Sequence, residues 1–221
     1  MMRVLILTLA DDPLDPPGYD RYGGAHLFVY EAGRYLTRKG HFVAFITRKS
    51  RPDKPSFENV GPHCQIFRVP AGPEFEMSHH DIWQYQPELS QNAMSLIQDS
   101  DPYDCVLSFN WISGLLALKS GVKPHVHHIL SLGRVRKELG EEPHPSDSSR
   151  DAGELEVFSQ ATRLVCVCSD ELHSLQSLYP EVDSTNAVII PYPVDSDIYA
   201  RRPFSASVFL RRKAERLKEG A

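Results

Sequence analysis

Apolar residues in this chain come in short continuous runs, separated by longer stretches in which they recur every three or four positions. Short β-branched runs predict buried strands, and a 3.6-residue recurrence predicts amphipathic helices. The predicted strands are residues 3–9, 42–47, 64–69, 105–109, 125–130, 164–168 and 187–190. The predicted helices are residues 25–39, 81–99, 111–120, 151–161 and 170–179. In the first helix Leu27, Tyr30 and Leu36 recur near helical spacing, Arg34, Arg38 and Lys39 lie mainly off that stripe, and Gly40 is a stop signal. The alternation predicts an α/β fold: a single doubly wound, Rossmann-like parallel sheet with helices on both faces.

Two connections are longer than a plain link requires. Residues 10–24 hold three prolines, four aspartates and the pair Gly23-Gly24. Residues 131–150 carry Arg134, Arg136 and Lys137, then the turn-rich PHPSDSS. Loops of this length in a compact fold are usually functional or mobile. Both follow the C-terminal ends of predicted strands, where open α/β sheets bind ligands. The domain is therefore expected to span residues 1–203, followed by a basic amphipathic tail helix over 204–221 that is too short to make a second domain.

Composition narrows the picture. A chain of 221 residues is long enough for one large core and short for two. A net charge of −5 argues against a general affinity for nucleic acid or anionic membranes. No stretch approaches the roughly 18 apolar residues of a membrane span. The opening MMRVLILTLADDP reads as the first strand and not as a signal peptide. Cys166 and Cys168, two apart in LVCVC, would share one face of a strand, but no second pair with zinc spacing follows. The four cysteines read as buried, reduced thiols of a cytoplasmic protein, with no metal and no resident cofactor.

The segment YGGAHLFVYEAGRYLTRKGHFVAFITR resembles the first loop, helix and strand of glycosyltransferase family 4. Further collinear matches are VPAGP, YDCVLSFNWISGLLAL, HILSLGRVRKEL, RDAGELEVFSQATRLVCVCSDE and VIIPYPVDSDIYARRP, which together cover nearly all of residues 1–203. The likeness is greatest to the sucrose-phosphate synthase and mycothiol-pathway branch. It implies the N-terminal, acceptor-side half of a two-domain (GT-B) retaining enzyme that works without a metal. The sugar-nucleotide donor would be held on a second domain or a partner chain, through Glu-x7-Glu and basic residues that have no counterpart here.

The resemblance also assigns candidate residues. Gly23 and Gly24 lie where the first strand feeds the first helix, so their backbone amides can approach a sugar or phosphate; the plainer reading is a tight turn. Arg150 falls on an arginine that grips an acceptor phosphate in the nearest branch, a task suited to the planar guanidinium fork. Its alternative is a solvated arginine at a helix start. Ser131 falls on a hydroxyl position beside the same pocket. Arg134 and Arg136 either counter a phosphate there or form a solvated face. Glu154 either fixes Arg150 or sits on a helix surface.

The departures are as informative. A family histidine near the reacting acceptor is Leu130 here. His128 shares its face by strand alternation and is the catalytic candidate, against the alternative of a satisfied core histidine. A second histidine and its neighbouring tyrosine become Phe109 and Asn110, a pocket lysine becomes His79, and an asparagine after the glycine pair becomes His26. The acceptor pocket is rebuilt, so the family's usual sugar phosphate does not carry over. Two functions follow: an acceptor-binding half completed by a donor-binding domain, a partner protein or self-association, or a non-catalytic binding module on the same fold. In either, cleft-side aromatics such as Trp111 are expected near the rim. A nicotinamide-binding oxidoreductase is disfavoured, because residues 18–24 contain no G-x-G-x-x-G and strand two lacks a terminal acid.

Overall fold

The computed structural model describes residues 1–10, 12–14 and 24–193. Within them lie β1 (Arg3–Leu7), α1 (Gly24–Arg38), β2 (Phe42–Arg48), β3 (Phe57–Gly61), β4 (Cys64–Val69), α2 (His79–Ile82), α3 (Gln86–Asp99), β5 (Cys105–Phe109), α4 (Trp111–Ser120), β6 (His125–His128), α5 (Gly133–Glu138), α6 (Asp147–Gln160), β7 (Arg163–Cys166), α7 (Ser169–Leu178) and β8 (Ala187–Ile189). The strands form one sheet in the order β3-β4-β2-β1-β5-β6-β7-β8. Every pairing is parallel except the β3–β4 hairpin. The expected doubly wound α/β architecture is present, with one edge hairpin added.

The central strands are apolar on both sides because helices cover both faces. Along β1 the side chains alternate: Leu5 and Leu7 enter a core with α3 and α4, whereas Val4 and Ile6 enter another beneath α1. A third core joins α6 and α7 to the β6–β7 end through Val157, Phe158, Leu164, Leu175 and Tyr179. The inward stripe of α1 runs through Phe28, Val29 and Gly33, not through Leu27 and Tyr30, which are half-buried. A Cβ on Gly33 would lie 2.2 Å from Phe45 Cζ, so glycine lets α1 settle directly on β2.

Several expected elements differ. The predicted helix 81–99 is divided into α2, a short 3₁₀ turn (Trp83–Tyr85) and α3. Pro87 lies in the first turn of α3, where a missing N–H costs nothing but continuation backwards does. The long 131–150 connection contains α5, and α6 begins at Asp147, a turn earlier than expected. β7 stops at Cys166, so Cys168 does not share its face. Cys166 is buried, whereas Cys168 is exposed at the N-cap of α7. The buried Cys166 thiol is pushed up to about 12, by burial first and then by Glu171 and Cys168. Trp111 is not a rim residue: it is buried, 4.5 Å from the Trp83 ring centroid. Among the described residues no helix is long and apolar enough to cross a membrane. The expected tail helix 204–221 and the 203 boundary lie outside the described residues.

Candidate functional site

Two buried arginines anchor loops at the C-terminal edge of the sheet. Arg68, at the end of β4, donates through Nε to Asp12 Oδ2 at 2.5 Å and pairs with Glu58 at 2.8 Å; Lys54 also meets Asp12 at 2.8 Å. Burial alone would push the Asp12 carboxyl up, but its bond to Arg68 and the charges of Lys54 and Arg68 win and hold it below the usual range. That network ties the loop after β1 to β4. Arg48, at the end of β2, donates to the carbonyls of Pro73 (2.7 Å) and Phe75 (2.5 Å) and so shapes the loop that leads to α2.

Beyond β6 the chain continues in register for one residue, with Ile129 N donating to Val165 O at 2.9 Å, and then turns through Ser131 into α5. Opposite this turn stands Arg150, which is buried and one turn inside α6, not solvated at a helix start. Its Nε donates to Glu154 Oε1 at 2.7 Å, and its Nη2 donates to Ser131 O at 3.1 Å and Ser131 Oγ at 3.0 Å. Glu154, 1 % exposed, also accepts from Gly133 N at 2.9 Å and from the Tyr179 hydroxyl. Burial and the Glu154 charge together push the Tyr179 phenol up, so it is a steady donor. Gly133 is needed here because a Cβ would stand 2.9 Å from Arg150 Nε and 3.0 Å from Glu154 Oε2. Every side of the guanidinium is engaged except Nη1, which has no partner among the described residues.

Arg134 does not join this group. It turns to the far side of α5, donates to Leu178 O at 2.5 Å, pairs with Glu181 at 3.1 Å and lies over the Tyr179 ring. The expected Arg134–Arg136 pair is therefore split, because residues two apart on a helix point to different sides. Arg136 turns the other way, donating to Glu141 Oε2 at 2.5 Å and to His80 Nε2.

The remaining candidates spread along the same edge. Asn110 ends β5 and caps α4, its Oδ1 accepting from Ser113 N at 3.1 Å. Its backbone, at φ 64° and ψ 161°, sits where glycine is the usual residue, and its buried Nδ2 has no partner among the described residues. Strain and an unsatisfied donor at one strand end are features that cluster at functional sites. His128 lies in register with Phe109, its ring 4.1 Å from that of Phe28 and stacked on Phe109 at 5.4 Å. It is a core histidine but not a satisfied one: both ring nitrogens are sealed without partners among the described residues. Burial depresses its pKa to about 4, so it is neutral at pH 7. His26 is buried in the first turn of α1, and Gly24 opens that helix. His79 opens α2; its side chain, and all of Gly23, lie outside the described residues.

Residues near Arg150 that sequence reasoning did not single out are Gly133, Tyr179, His80, His144 and Ser146. A glycine just inside a helix and a tyrosine just past one carry no signal without their distant partners. His80 stands beside the expected His79 and is the histidine that reaches Arg136.

The chain is a parallel sheet with an extra edge hairpin and with polar groups gathered at its C-terminal end, the architecture of the N-terminal half of the GT-B fold. The Glycosyltransferase Family 4 model matches residues 22–198, and the chain belongs to that family. It is 29 % identical over 206 residues to a D-inositol 3-phosphate glycosyltransferase of Nocardiopsis dassonvillei, covering 90 % of this chain and 47 % of the relative. A protein of the same name from Kribbella flavida is 28 % identical over 206 residues, with 90 % and 48 % covered. Among solved structures, sucrose-phosphate synthase from Thermosynechococcus elongatus superposes with a TM-score of 0.80 at 21 % identity, over 90 % of this chain and 50 % of that one. The chain thus spans about half the length of the curated relatives it matches.

Proposed function

We propose that this chain is the acceptor-binding half of a retaining glycosyltransferase and that Arg150 receives an anionic group, a phosphate, on its sugar acceptor. The observation that carries the reading is the Arg150 environment. A buried guanidinium is oriented by Glu154 and Ser131 while one terminal amine has no partner among the described residues, at the sheet edge where ligands of this fold class bind. A cation held this way is pre-organised, so little side-chain entropy remains to be lost on binding. Relatives named D-inositol 3-phosphate glycosyltransferase make a phosphorylated polyol a fitting acceptor class. Leaving-group stabilisation, usually a large part of catalysis, would come from a donor-binding domain or partner.

Calorimetry with D-inositol 3-phosphate and with inorganic phosphate tests this. Arg150→Ala should weaken binding by about 1.5–3 kcal/mol, the value of a hydrogen bond to a charged group. Arg150→Lys should not restore it, since an ammonium cannot reproduce the fork. Equal affinity in wild type and Arg150→Ala, with the fold intact, would sink the assignment. The alternative, a non-catalytic binding module, is favoured by leucine at position 130 and by His128 facing two phenyl rings. Mixing the chain with a family donor half and a sugar nucleotide separates the two readings: product forms only under the first.

A further inference from the structure

Helix α2 and the turn before α6 come from distant parts of the chain, yet one hydrogen-bonded relay joins them. Arg136 Nη1 meets His80 Nε2, His80 Nδ1 meets Ser146 Oγ at 2.8 Å, and Ser146 Oγ meets His144 Nδ1 at 2.9 Å. The backbone N–H of Ser146 also reaches His144 Nδ1 at 3.2 Å, and the His80 and His144 rings lie 4.4 Å apart. The proton positions follow from chemistry. A guanidinium only donates, so His80 Nε2 must accept and its proton must sit on Nδ1. That proton goes to Ser146 Oγ, whose own proton goes to His144 Nδ1, already an acceptor for the Ser146 amide. Each bond has one donor and one acceptor only while His80 is neutral and carries its proton on Nδ1.

Ser146 immediately precedes α6, and its carbonyl accepts from Arg150 N at 2.8 Å. Whatever fixes Ser146 therefore fixes the turn from which Arg150 projects. The α2 side is itself held, since Arg48 binds the carbonyls of Pro73 and Phe75.

We propose that His80 is a positioning residue: as the neutral Nδ1–H tautomer it staples α2 to Ser146 and thereby sets the register of Arg150. The staple rests on the acceptor reading only in what Arg150 is for; its geometry stands without it. Protonation of His80 puts a donor against the Arg136 donor and opens the relay. The ring is faced by Arg136 from α5, His144 from the turn before α6, and Asp147 and Arg150 from α6. Partial burial, then Arg136, His144 and Arg150, hold it below the ordinary histidine value, and Asp147 opposes them. The staple is thus closed at pH 7.5 and opens as the pH falls through that lowered value.

Histidine 15N shifts on the full chain at pH 7.5 give the first test. A neutral Nδ1–H tautomer for His80 is expected; a charged ring or an Nε2–H tautomer overturns the proposal. The second test uses His80→Phe, which keeps a flat ring but removes both hydrogen bonds. Amide exchange at Ser146 and Arg150 should quicken at least tenfold, with the far sheet unchanged, and affinity for inorganic phosphate should fall several-fold. His80→Asn, whose side-chain amide can still donate to Ser146, should recover part of both. Unchanged exchange in His80→Phe refutes the staple. Quickened exchange with phosphate affinity equal in wild type, His80→Phe and Arg150→Ala keeps the staple and refutes the acceptor reading.

Discussion

Glu154→Ala should be among the most damaging single changes in this fold. The carboxylate is 1 % exposed and serves three donors: Arg150 Nε at 2.7 Å, Gly133 N at 2.9 Å and the Tyr179 hydroxyl. Removing it leaves a buried guanidinium whose remaining bonds go to neutral Ser131 oxygens, and breaking a buried ion pair from one side costs about 3–5 kcal/mol. The orphaned Gly133 and Tyr179 donors would each cost about 1–3 kcal/mol if fully sealed, but the three penalties share one cavity and do not sum. We expect a net loss of about 4 kcal/mol within that range, a large fraction of a typical stability of about 5–15 kcal/mol. For a fold of this size it corresponds to a Tm lowered by roughly 8–16 °C. Glu154→Gln also strands the guanidinium charge but keeps the shape and two acceptor bonds, and Tyr179 can accept from the new amide, so its loss should be about 1–3 kcal/mol smaller than that of alanine. The double variant Arg150→Met with Glu154→Leu should regain much of the single-variant loss, because no charge is then stranded. Urea unfolding followed by circular dichroism measures all three. A loss below about 1 kcal/mol in Glu154→Ala, or a glutamine variant as unstable as the alanine one, would refute the argument.

Acid should destabilise the protein well before its carboxylates titrate. His125 and His128 are depressed to about 4 and His127 lies well below its ordinary value, all chiefly through burial. Their neutral forms suit the core, where Ser108 Oγ bonds both His125 (2.7 Å) and His127 (2.8 Å). The unfolded chain binds protons first, so stability is complete above about pH 6.5 and falls toward pH 4, by up to about 1.4 kcal/mol per pH unit for each histidine. Urea midpoints that stay constant from pH 7 to pH 5 would contradict this. Gly153→Ala should also destabilise, despite alanine's better helix propensity, because its Cβ would lie 2.7 Å from Trp111 Cε3 and push α6 off α4. A loss of about 1–2 kcal/mol with a shifted tryptophan emission is expected, and a variant as stable as wild type would show that the contact yields freely.

The strands and their nature were legible in the sequence because burial on both faces leaves a continuous apolar run, as in VLIL of β1 and FVAFIT of β2. The family followed from collinear blocks, and Arg150, Ser131 and Glu154 were nameable from their places in them. Other features depended on the third dimension. Strand β3 reads FENVG, too polar to announce itself, and becomes a strand because it pairs antiparallel with β4 at an exposed edge. The i,i+4 spacing lets Glu154 reach Arg150, but that the same carboxylate is buried and holds two further donors depends on α5 bringing Gly133 beneath it and α7 bringing Tyr179 beside it. Arg134 and Arg136 look equivalent in the chain, yet helical geometry sends one to Glu181 and the other to His80. Periodicity records how each segment meets the core as a whole, so it survives in one dimension. Pairing between polar side chains tens of residues apart is a property of tertiary contact, and only the folded arrangement decides it.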